Sequence, residues 1–157
     1  MNSELNGLRI KLIGDIKSTI TSDVYKEARL VLREAINDTL YSSPEGTTYV
    51  RTGEFLNAVR VNIISMSDSE AELRVWVDGR KLTPIYNEGS WNAHMDVKNN
   101  PFNNDGIVEV IDKGIPSRIY RNRVAMNFYR EAEQNMESRL VKALAIGLTA
   151  RGWQVVY

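Results

Sequence analysis

One histidine, His94, and no cysteine set the limit on the chemistry open to this 157-residue chain. His94 stands two residues before Asp96, and Glu88, Asp105 or Asp112 would have to converge on it to form a metal site. Transition-metal sites ordinarily take two or more nitrogen or sulfur ligands, which a single imidazole does not supply. A solvated histidine in a polar loop is the simpler reading, so neither a metal nor a cofactor is expected. Asp105, Glu109 and Asp112 cluster in sequence and invite comparison with paired-carboxylate hydrolases, although solvated strand ends account for them equally well. No Gly-x-Ser-x-Gly occurs, and a serine nucleophile would have only His94 as its base. Gly79-Arg80-Lys81 lacks the glycine five residues earlier that a phosphate-cradling loop requires. No catalytic residue is assigned on these grounds, and a non-enzymatic protein is expected.

Binding chemistry is better represented. Arg118, Tyr120, Arg121 and Arg123 interleave cations with an aromatic ring, a composition suited either to nucleic acid or to a charged approach to a helix. Twenty Lys and Arg balance twenty Asp and Glu, so the chain has no net basic excess. Duplex-DNA binders depend on such an excess to neutralise phosphates, so sequence-specific nucleic-acid binding is not expected. Zero net charge also removes long-range self-repulsion and tolerates association between copies. Trp76 lies on the Glu72/Arg74 side of its segment, opposite Leu73 and Val75, and Trp91 falls in a polar loop. Large aromatics away from a core face are interface candidates, although helices covering both sheet faces would account for Trp76 equally well, and terminal Trp153 reads as packing. Trp76, Trp91, Arg118, Tyr120 and Arg121 are therefore the interface candidates.

The elements that must position these residues follow from periodicity. Leu8, Leu12, Ile16 and Ile20 recur at helical spacing, and Val24, Ala28, Val31, Leu32, Ala35, Ile36 and Leu40 continue it. Thr21-Ser22-Asp23 allows a kink or a second start, and Ser42 to Gly46 stops the helix. Thr52 is placed to cap a short helix bearing Phe55, Leu56 and Val59. Val59, Val61 and Ile63, then Leu73, Val75 and Val77, alternate with polar residues, and Ser67-Asp68-Ser69-Glu70 joins them as a hairpin. Residues 87–106 read as a long flexible loop, Ile107 to Ile111 as a third strand, Asn122 to Ile146 as a long helix, and Trp153 to Tyr157 as a closing strand. Gly147 and Gly152 are read as punctuating the end of that helix. The order predicts one α+β domain over 1–157: an antiparallel sheet of three to four strands packed with a long N-terminal helix and a long C-terminal helix. No signal sequence and no membrane-spanning run is read from the chain.

The stretch from Tyr49 through Arg51, Thr52, Gly53 and Leu56 to Val59 resembles a motif of tail-completion, or head–tail joining, proteins of tailed bacteriophages. Tyr86, Glu88 and Gly89 are similar to that family's Tyr-x-x-Glu-x-Gly-Thr-like segment after two strands, and the long C-terminal helix completes the order. In place of the family's Pro-Phe run before that helix stands Ile115-Pro116-Ser117-Arg118. The resemblance implies a virion structural protein made in the host cytoplasm: a homo-oligomeric ring, a hexamer by analogy, meeting neighbouring neck and tail-tube proteins. Terminator, neck component and another ring position all remain open. A small cytosolic binding module of immunity or antitoxin type is the alternative, and a metal-dependent hydrolase using His94 is a third.

Overall fold

A computed structural model describes residues 2–42, 53–82, 104–114 and 125–156. The chain begins with α1 (Asn2–Thr19), passes through a π turn (Ile20–Val24) into α2 (Tyr25–Ile36), and ends this stretch in a second π turn (Asn37–Tyr41). Thr19, Val24 and Ile36 all keep right-handed helical dihedrals, so this is one continuous helix rather than two. Thr21-Ser22-Asp23 does not cap a fresh start. A π turn displaces carbonyls from their usual partners, and the hydroxyls here take them up. Thr19 Oγ1 donates to the Asp15 carbonyl at 2.7 Å, and Thr21 Oγ1 and Ser22 Oγ donate to that of Ser18 at 2.9 and 2.8 Å.

After the short helix α3 (Glu54–Asn57) come β1 (Val59–Met66) and β2 (Ala71–Val77), paired antiparallel, with Val59 opposite Val77 and Arg60 opposite Trp76. Val59, Val61 and Val77 are buried, as the alternation requires. The register shifts between Ile63 and Ser65, which leaves Ile64 as an extra residue pointing to solvent. The expected connection is seen: Ser67 N–H donates to the Glu70 carbonyl at 2.7 Å, and Ser67 Oγ accepts from Glu70 N–H at 3.0 Å.

α2 packs against both the hairpin and α5. One of its sides meets the hairpin and α3, where the Tyr25 hydroxyl donates to the Val61 carbonyl of β1 at 3.0 Å and Arg33 donates to the Leu56 carbonyl of α3 at 2.7 Å. The other side meets α5 (Phe128–Ala150), whose Arg139 bridges Glu27 (2.6 Å) and Glu34 of α2. Residues 25 and 33 are two turns apart on one side, and 27 and 34 two turns apart on the other. Leu32, Ile36, Phe55, Val59 and Phe128 form the centre of the core, with the Phe55 and Phe128 rings edge-to-face at 6.2 Å. Hairpin, α2 and α5 therefore meet around one core, and the first turn of α5 reaches the hairpin directly, where the Tyr129 hydroxyl accepts from Val77 N–H at 3.0 Å.

Several expectations are corrected. Ile107 to Ile111 is not a strand but part of α4 (Asn104–Lys113), which also takes in 104–106 from the expected loop. Val108 and Ile111, one helical turn apart, are both buried, so the apolar run serves a helix face. No strand occurs at 153–156, and the sheet among the described residues has two strands rather than three or four. Trp153 instead packs on α1, where its Nε1 donates to Asp15 Oδ2 at 2.8 Å and Lys11 Nζ lies 5.8 Å from the ring centroid.

The last helix starts at Phe128, not Asn122, because Asn127 sits in the left-handed region at φ 53°. It runs on to Ala150, past Gly147, which lies buried inside it. Gly152 at φ 90° ends it: Gly152 N–H donates to the Thr149 carbonyl at 2.9 Å and Trp153 N–H to that of Leu148 at 3.2 Å, the two bonds of a Schellman motif. The apolar stripe of α1 is buried only toward its C-terminal end. Leu5 and Leu8 are more than half exposed, while Leu12, Ile16 and Ile20 are half-buried. No helix among the described residues is long and apolar enough to cross a membrane.

Candidate interaction surface

Strand alternation fixes what the hairpin shows on each side. Val59, Val61, Val75 and Val77 turn toward the helices, so Arg60, Asn62, Glu72, Arg74 and Trp76 must share the opposite face. Trp76 is half-buried there. The Arg74 guanidinium carbon lies 5.5 Å from its ring centroid, and Arg60 stands opposite it on β1. A cation over an indole face is held by the ring quadrupole, which orders both side chains before any partner arrives. Arg60 is further fixed by donating to the Asn57 carbonyl at 2.9 Å. The sequence singled out Trp76 but not these two arginines. Their signal was the same period of two, read on the polar side.

Below Trp76, Asp78 ends β2 and caps the 3-10 turn Gly79–Lys81, accepting from Arg80 N–H at 3.3 Å and from Arg80 Nε at 2.8 Å. The Arg80 guanidinium hydrogen-bonded to its side chain holds the Asp78 carboxyl below the usual carboxylate value, against its desolvation. At the far tip, Lys17 of α1 pairs with Asp68 at 2.6 Å and lowers that carboxyl as well. The hairpin tip is thus tied to α1, and the Asp78–Arg80 contact orders the turn that leaves β2.

Of the clustered carboxylates, Asp112 serves the fold. Asp112 is buried, and its Oδ1 accepts from Tyr129 N–H at 3.1 Å in the first turn of α5. Since Asn127 makes no side-chain cap, a carboxylate from α4 does the capping, where the helix dipole favours negative charge. Glu109 turns outward instead and pairs with Lys113 at 2.7 Å. Nothing is described of the Asp105 side chain.

Within the Thr-Gly motif, Gly53 occupies the position before α3 at φ 74°, so the cap position belongs to Gly53 and not to Thr52. Leu56 packs against the core beside buried Phe55. Tyr49, Arg51, Thr52, Tyr86, Glu88, Gly89, Trp91, His94, Arg118, Tyr120 and Arg121 lie outside the described residues. Among the described ones, no group of three potential metal ligands comes together. The molecule matches no protein-family model, no curated protein and no solved structure.

Proposed function

We propose that this chain is a structural subunit of a tailed-bacteriophage virion, forming a homo-oligomeric ring at the head–tail junction as a tail-completion, terminator or neck component. The observation that carries the reading is the stretch from Gly53 to Val77. A left-handed glycine opens a one-turn helix, which runs directly into an antiparallel hairpin backed by long helices. This is the local architecture implied by the Thr-Gly resemblance, and the positive φ supplies a physical reason for glycine at that point of the motif. Charge balance supports the same reading, because a neutral chain meets further copies of itself without net repulsion. A ring subunit acts by geometry: a rigid layered body offers unlike surfaces on two sides, and successive copies close by rotation. Its partners would be its own copies, six by analogy, and the neck and tail-tube proteins above and below.

Light scattering across a concentration series reads the solution state, and electron microscopy of assembled particles reads the docked one. A ring at the junction is the expected result. Infectious particles assembling fully without this chain would overturn the proposal.

A further inference from the structure

We infer which two surfaces meet between successive copies: the outer face of the hairpin of one copy docks on the outer stripe of α5 of the next. The inference rests on the ring reading above, and it names the contact that would build the ring.

The hairpin and α5 share one core with α2, and the outer face of the hairpin and the outer stripe of α5 are different surfaces, each turned away from that core. Unlike surfaces of one body give a head-to-tail contact, which a cyclic ring requires and a two-fold dimer does not.

The chemistry of the two faces is complementary in order as well as in sign. Along β2 the outer face reads Glu72, Arg74, Trp76. Along α5, Arg130, Glu137 and Val141 are seven and four residues apart, which places them on one line of the helix away from Arg139 and Ala132. Glu72, Arg74, Arg130 and Glu137 are all exposed, and Val141 keeps 47% of its surface. Laid along one another, Glu72 meets Arg130, Arg74 meets Glu137, and Trp76 meets Val141. The strand segment spans about 13 Å at ~3.3 Å per residue, and the helix stripe about 16 Å at ~1.5 Å per residue. Arginine and glutamate side chains accommodate that difference. Trp76, ordered beforehand by Arg74, is the aromatic anchor such an interface is built around. A second copy is the occupant argued for, because this chain itself carries the matching order of charges.

The absence of native cysteine makes the test direct. Chains carrying Arg74→Cys and Glu137→Cys together should give a ladder of covalent multimers under mild oxidation. Either single variant alone should stay monomeric on a denaturing gel, and an equimolar mixture of the two single variants should stop at a dimer. In parallel, Arg74→Glu and Glu137→Arg should each weaken self-association about tenfold, and the chain carrying both should recover it. Homodimers from one single variant as abundant as the mixed dimer would overturn the inference. An oligomer seen by light scattering with no ladder would overturn this contact and leave the ring reading standing. A monomer at every concentration with no ladder would also overturn it, and microscopy of assembled particles then decides the ring reading separately.

Discussion

Tyr25 and Tyr129 place their hydroxyls on the two opposite outer edges of one hairpin. Asp78 N–H bonds to the Ala58 carbonyl across the ladder, so the backbone groups of Val59, Val61, Val75 and Val77 point outward from the pair. Tyr25 of α2 donates to the Val61 carbonyl on the β1 edge, and Tyr129 of α5 accepts from Val77 N–H on the β2 edge, each at 3.0 Å. A lone two-stranded hairpin is marginal in water. Here both helical layers hold it by its edges, which fixes its position relative to α2 and α5.

Removing either hydroxyl tests that arrangement. Tyr129→Phe leaves a part-buried Val77 N–H without this acceptor and should cost about 1–3 kcal/mol, whereas Tyr25→Phe should cost about 1 kcal/mol. Urea denaturation measures both. Amide exchange at Val77 should accelerate only in the Tyr129 variant.

Gly53 at φ 74° has open space around a would-be Cβ, so any penalty there comes from the backbone and not from a clash. Gly53→Val should destabilise the protein by about 1–2 kcal/mol, and Gly53→Asn by less, since Asn tolerates the left-handed region. Equal urea midpoints for the two variants would remove this account.

Gly147 behaves oppositely. Its φ is ordinary for a helix, but an added Cβ would lie 2.4 Å from Thr19 Cγ2 and 2.7 Å from Asp23 Oδ2. Alanine would gain about 1 kcal/mol of helix propensity and lose about 1–3 kcal/mol to overpacking against the fully buried Thr19. Gly147→Ala should therefore lower the thermal midpoint, and adding Thr19→Ser, which deletes the offending methyl but keeps the hydroxyl, should restore part of it.

The Asp78 carboxyl titrates below its ordinary value because Arg80 binds its charged form. A carboxyl lowered on folding stabilises the protein above the unfolded value of about 3.9, and that contribution is lost as the pH falls through the folded value. Carbon-13 titration of Asp78 should show the low midpoint, and Arg80→Ala should return it toward the usual range. The same variant should flatten the acid limb of stability against pH.

Local patterns made much of this fold legible. Period two in Val59 to Ile63 and Leu73 to Val77, with a polar four-residue link, specifies a hairpin, because a strand of that pattern buries one face and only one. Helical spacing through Val31 to Ile36 and through Phe128 to Met136 likewise identifies the two faces that meet. Ile107 to Ile111 was illegible for a physical reason: a short β-branched run carries no period, and only burial of Val108 and Ile111 on one helix face decides it. Trp76 could be assigned to the polar side of its strand from alternation alone. That Arg60 stands opposite it depends on the register, which is a property of the pair and not of either strand.

By itself, then, the sequence determined the hairpin and the long helices at the two ends, and which side of each is apolar, since those follow from residue spacing along a single segment. Tertiary structure alone decided the meeting of hairpin, α2 and α5 around one core, the use of Asp112 as a cap for a helix other than its own, and the contact of Gly147 with Thr19. Each joins residues far apart along the chain, where spacing carries no signal, and each is settled by which buried surfaces fit together with their polar groups satisfied.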